Sequence, residues 1–138
     1  FKKNYMRISS VVLFSGLVLL LAGCKKKDNT TEPESPSVIT ITTPLAATIV
    51  INGSVLHVDG NMSDNNVLAI AKLEIRNKTT GTVLNAQSVN TGNVGYYNFS
   101  WTWTVTGISA PTPAVVKVIA RDKLGNEVFK EVEITLDT

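Results

Sequence analysis

Tyr96-Tyr97-Asn98-Phe99-Ser100-Trp101-Thr102-Trp103-Thr104-Val105 alternates large apolar and small polar side chains almost without a break. Successive side chains of a strand point to opposite faces. A period of two therefore puts Tyr97, Phe99, Trp101, Trp103 and Val105 on one side and Tyr96, Asn98, Ser100, Thr102 and Thr104 on the other. A helix would spread the same residues around its whole circumference. The stretch 96–106 is expected to be a strand with one buried face, and it sets the period to look for elsewhere.

The same alternation recurs on both sides of it. Strands are predicted over 38–42, 54–62, 68–77, 82–89, 114–122 and 127–136, rich in β-branched residues. Turn residues punctuate them at Asn52-Gly53, Asp64-Asn65-Asn66, Thr80-Gly81, Gly92-Asn93 and Gly125-Asn126. No stretch after Val38 has a convincing helical period. About seven short strands predict an all-β chain folded as an antiparallel β-sandwich, with 38–138 as its one domain. The alternation also names the core. Leu56, Val58 and Met62 share a face, as do Ala71, Leu73 and Ile75, and Val116, Val118, Ala120, Val132, Ile134 and Leu136 complete it. His57 should point outward.

The chain before Val38 has a different composition. Lys2, Lys3 and Arg7 precede an apolar run from Val11 to Leu21, broken only by Ser15 and Gly16, and the run ends in Ala22-Gly23. Basic start, apolar middle and small-residue end are the three parts of a secretory signal, expected over 1–23. A membrane-spanning helix needs about 20 apolar residues, more than this run supplies. The sequence opens on Phe1, and Met6 would serve as a start that still leaves Arg7 ahead of the apolar run.

Leu21-Ala22-Gly23-Cys24 resembles the lipobox of bacterial lipoproteins at all four positions. The resemblance implies cleavage before Cys24, a thioether-linked diacylglycerol on its sulfur and an N-acyl chain such as palmitate on its amine. At about 0.8 kcal/mol per buried methylene, two or three such chains hold a protein on a membrane effectively permanently. Lys25 follows the cysteine where an aspartate would favour inner-membrane retention in lipoproteins of the enterobacterial type, which points to the outer membrane. Residues 24–37 then form a lipidated tether: Lys25, Lys26 and Lys27 open a polar, proline-containing stretch that cannot bury enough surface to order itself. Those lysines suit anionic headgroups beside the anchor.

A second resemblance concerns the domain. Val118-Ile119-Ala120-Arg121-Asp122-Lys123-Leu124-Gly125-Asn126-Glu127-Val128 resembles the penultimate hairpin of bacterial immunoglobulin-like domains, and Leu56-His57-Val58-Asp59-Gly60-Asn61-Met62-Ser63-Asp64 resembles their second strand and the loop after it. Together they are similar to the small immunoglobulin-like lipoproteins of Bacteroidetes. The resemblance implies an immunoglobulin-like sandwich and no particular activity.

Charge and cysteine content exclude several classes. The net charge of +2 comes from the signal: without Lys2, Lys3 and Arg7, ten of the 13 basic residues remain against 11 acidic ones, so nucleic acid is not an expected partner. One cysteine allows no internal disulfide, no redox pair and no cysteine metal cluster. The only histidine, His57, has no triad that sequence can identify, and neither a phosphate loop nor a metalloprotease helix motif occurs, so no catalytic residue is assigned. Asp59, Asp64 and Asp122, with Asn61, Asn65, Asn66 and Asn126, are the oxygen-rich candidates for calcium. Asp and Asn are equally the residues that turns select for backbone reasons. Tyr96, Tyr97, Trp101 and Trp103 are the aromatic candidates for stacking on a sugar, but only Tyr96 falls on the outer face. The expected function is a non-catalytic, membrane-anchored module that binds an envelope protein or glycan or supports an assembly. An accessory glycan-binding or glycan-processing lipoprotein, the latter with a site built on loop carboxylates, is the alternative, and an inhibitor-type lipoprotein is a third possibility.

Overall fold

A computed structural model describes residues 35–138. The expected signal, Cys24 and most of the tether lie outside the described residues. Six strands follow: β1 (Val38–Thr43), β2 (Ile49–Ile51), β3 (Val55–Asn77), β4 (Val83–Thr104), β5 (Thr112–Asp122) and β6 (Glu127–Asp137).

The count differs from the seven expected because two pairs of expected strands are continuous. Asp64-Asn65-Asn66 does not turn the chain: it lies inside β3, at a register shift between Ser63 and Leu68. Gly92 and Asn93 have consecutive positive φ of 78° and 60° and form the matching irregularity inside β4. Asn and Gly are the residues that adopt φ > 0 at least strain, so the local chemistry was read correctly while its outcome was a bend in a strand. The other three turn candidates do connect strands. β2 was not expected at all.

Each long strand therefore serves both layers of a sandwich. Residues 55–63 of β3 pair with β1 on one side and with 96–104 of β4 on the other. Residues 68–77 pair with 83–94 of β4 and with β5, β5 pairs antiparallel with β6, and β6 pairs in parallel with β2. A three-stranded and a five-stranded layer result, and their inner faces meet in one core.

That core holds the predicted residues. Leu56, Val58, Met62, Ala71, Leu73 and Ile75 are buried, as are Phe99, Trp101, Val105, Val116, Val118, Ala120, Ile134 and Leu136. Tyr97, Trp103 and Val132 are half-buried against them. Phe99 and Trp101, two residues apart on one face, stack with ring centroids 4.9 Å apart. Phe99 lies directly across from Gly60. A Cβ on Gly60 would stand 2.5 Å from Phe99 Cζ and would collide with the Thr40 carbonyl oxygen, so only glycine lets β1, the ring and β3 approach this closely.

Candidate binding site

The outer face of the three-stranded layer carries Tyr96. Cross-strand pairs share a face, so Val55/Thr104, His57/Thr102, Asp59/Ser100, Asn61/Asn98 and Ser63/Tyr96 all point outward. Tyr96 is 55% exposed, and its hydroxyl donates to Asn98 Oδ1 at 3.2 Å. His57 is exposed as expected. Asp59 Oδ1 accepts the Ser100 hydroxyl at 2.6 Å. The other aromatic candidates, Tyr97, Trp101 and Trp103, belong to the inner face and pack in the core.

The calcium candidates divide. Asp64, Asn66, Asp122 and Asn126 line one small pocket at an end of the sandwich, together with Ser35, Pro36, Ser37 and Val128. Asp59 is not among them; it sits five residues before Asp64 along β3, roughly 15 Å away at the rise of a strand. Asp64 and Asp122 are both buried, and hydrogen donors meet all four of their carboxylate oxygens. Asp64 Oδ1 accepts the Asn66 amide at 2.6 Å, and its Oδ2 accepts the Ser37 hydroxyl. Asp122 Oδ1 accepts the Asn126 amide at 2.8 Å, and its Oδ2 accepts the Asn126 side-chain amide at 2.8 Å. Burial alone would push the Asp122 carboxyl up, but the Asn126 side chain and the backbone N–H groups of Asn126, Leu124 and Gly125 outweigh it and hold it below the ordinary value. These aspartates close the β3 irregularity and the β5–β6 hairpin, the backbone role that Asx residues commonly take. Among the described residues no three of His, Cys, Asp and Glu converge as a metal cage. Ser37, expected as the last residue of the tether, is half-buried here and bonded to Asp64.

A third feature was not anticipated. Between β2 and the start of β3 runs a groove of about 470 Å³, lined by Leu45, Ile49, Ile51, Val55 and His57 among others, and no charged side chain lines it among the described residues. Leu45, Ile49, Ile51 and Val55 are 72%, 62%, 46% and 48% exposed. Four large aliphatic side chains are thus gathered in one open groove, whereas exposed apolar residues of a monomer surface are usually scattered singly.

The groove exists because β1 and β2 serve different layers. β1 stays with β3 as far as the Thr43/Asp59 pair, after a register shift. Pro44 follows, with no N–H to continue the ladder, and the Thr43–Pro44 peptide is cis. The chain then crosses to β6, where Ala47 N–H donates to the Glu133 carbonyl at 2.9 Å and Thr135 N–H donates to the Thr48 carbonyl at 2.9 Å. Among the described residues, 55–58 of β3 are left without a strand neighbour on the β1 side. A sequence signal was present: Ile49-Val50-Ile51 is apolar at three successive positions, and a strand buried on one face can hide only Val50.

No family model matches the chain, and no curated protein matches it. Solved structures do. The fibronectin(III)-like modules of Clostridium thermocellum CbhA are 14% identical with a TM-score of 0.51, over 73% of this chain and 46% of that one, so this chain spans about half their length. Murine CRIg is 9% identical with a TM-score of 0.43, over 75% of this chain and 98% of that one. CopC from Methylosinus trichosporium OB3b is 16% identical with a TM-score of 0.45, over 74% and 94%. The fold is an all-β sandwich of the immunoglobulin and fibronectin(III) kind, as expected.

Proposed function

We propose that this chain is a lipid-anchored, non-catalytic module of the bacterial cell envelope that binds a protein partner through the groove between β2 and β3. The groove is the observation that carries the binding role: its walls are uncharged and aliphatic, as the centre of a protein interface is. Leu21-Ala22-Gly23-Cys24 supports the anchor, and Lys25 supports an outer-membrane address. The similarity of the 56–64 and 118–128 segments to those of small Bacteroidetes lipoproteins favours the same assignment. No cofactor beyond the lipid on Cys24 enters this role.

The test is made in the native envelope. Mass spectrometry should find acyl mass on Cys24 and lose it in Cys24→Ser. A photo-crosslinking residue at position 49 should give one protein adduct that the same residue at exposed position 130 does not. An unlipidated protein, or identical adducts from both positions, would overturn the proposal.

Tyr96 favours a second role, glycan binding on the outer face of the three-stranded layer. An exposed ring beside Asn98, Asn61, Ser100 and Thr102 offers a stacking surface among hydroxyl and amide partners. Retardation of the protein in gels containing envelope polysaccharide, lost in Tyr96→Ala, would establish it. Equal mobility of the two proteins would remove it.

A further inference from the structure

The backbone along the groove identifies the kind of partner it takes. Within 55–63 the β3–β4 register runs without a shift, so carbonyl direction alternates strictly from residue to residue. Val105 N–H donates to the Ser54 carbonyl at 2.9 Å, which turns even-numbered residues toward β4. Val55, His57 and Asp59 therefore direct their N–H and C=O groups to the opposite side. The Asp59 carbonyl indeed accepts the Thr42 hydroxyl there, at 3.0 Å. Among the described residues Val55 and His57 have no strand on that side, because β1 has already left the layer.

The opposite wall repeats the pattern. β2 turns Val50 toward β6, so Ile49 and Ile51 point their backbone groups away from it. The Ile51 carbonyl is taken by Ser54 N–H at 2.9 Å, and the remaining groups of the two residues have no partner within the described fold. The groove thus combines two unpaired donor–acceptor sets on β3, two residues apart, with an aliphatic wall.

We propose, on the binding-module reading above, that the groove accepts an extended, uncharged segment of the partner protein as an added strand, hydrogen-bonded to Val55 and His57. Strand period matches the site: groups two residues apart lie about 7 Å apart, the repeat at which an extended peptide presents its own N–H and C=O on one edge. Alternate apolar side chains of the guest then lie on Leu45, Ile49, Ile51 and Val55. A helix could cover the aliphatic wall but could not satisfy the backbone of Val55 and His57, since its own N–H and C=O groups are used internally. The absence of charge on the walls selects against acidic or basic guests.

The probe is a set of capped heptapeptides alternating Thr with Val, Ile or Leu, added to the 15N-labelled full chain in detergent. At least one peptide should slow exchange of the Val55 and His57 amides by about tenfold or more. The same peptide N-methylated at alternate residues should lose that protection, and Ile51→Thr should weaken binding about tenfold. Three results would overturn strand addition: no peptide perturbs a folded spectrum, methyl groups of Ile49 and Ile51 shift without amide protection, or self-association of the chain fills the groove instead. If position 49 crosslinks a protein in cells while no peptide protects these amides, the binding role stands and strand addition falls; if neither occurs, both fall.

Discussion

Gly60 is the position where one atom decides the packing. A methyl group there meets the Phe99 ring and a backbone oxygen that cannot rotate away. Gly60→Ala should lower stability by about 1–3 kcal/mol, measured by urea unfolding, and Phe99→Leu in the same chain should recover part of the loss. Asp122 makes a prediction about pH. Its folded pKa lies below its unfolded one, so the unfolded chain binds a proton more readily, and the stabilisation is present above about pH 4 and lost as pH falls through the folded value. Glu127, held down first by the Lys72 hydrogen bond at 2.9 Å, adds in the same direction. The urea midpoint should drop between about pH 5 and pH 3 more steeply for the native chain than for Asp122→Asn; parallel profiles would refute this. At this scale the sequence was half legible. That Asp122 and Asn126 belong to one turn can be read from their spacing, but the contact of Gly60 with Phe99 depends on register across 39 positions, which no local pattern encodes.

Among the elements, the alternation in residues 54–62, 68–77 and 96–106 named the correct faces because burial on one side of a strand leaves a period of two in composition. What it could not supply was continuity. An Asp-Asn-Asn or Gly-Asn group permits a turn, and only the pairing partners on either side decide whether the chain reverses or bends. β2 escaped notice for the same reason: a three-residue strand that pairs in parallel with the last strand of the chain depends on a contact more than eighty residues away. β4 lies at the open edge of both layers, and its Gln87 closes part of the gap by donating from Nε2 to the Thr102 carbonyl at 2.9 Å and to Asn85 Oδ1 at 3.0 Å. Removing that amide exposes an edge carbonyl to other chains. Gln87→Val should destabilise by about 1 kcal/mol and speed aggregation on heating, followed by light scattering. An unchanged aggregation temperature would show that the edge is protected by other means.

For the whole molecule, stability comes from one aliphatic and aromatic core without covalent staples. The single cysteine lies outside the described residues, so the melting temperature should be the same with and without reductant, as differential scanning calorimetry would show. A reductant-sensitive transition would mean that a disulfide between two chains contributes. The domain class was readable from the number and spacing of strand signals, whereas the groove was not, because it arises from the crossing of one segment between layers.

The continuity of β3 and β4 bears on how the molecule comes apart. In a sandwich whose sheets are joined only by loops, one sheet can fray while the other persists. Here any plane that divides the two layers must cut through both long strands in mid-course, at 63–68 and near 92–94. Neither layer can melt alone without loosening strands that the other depends on. Unfolding is thereby bound into a single cooperative event, and the groove, supported by β3 on one wall and by the β5–β6–β2 layer on the other, keeps its shape until the whole domain gives way.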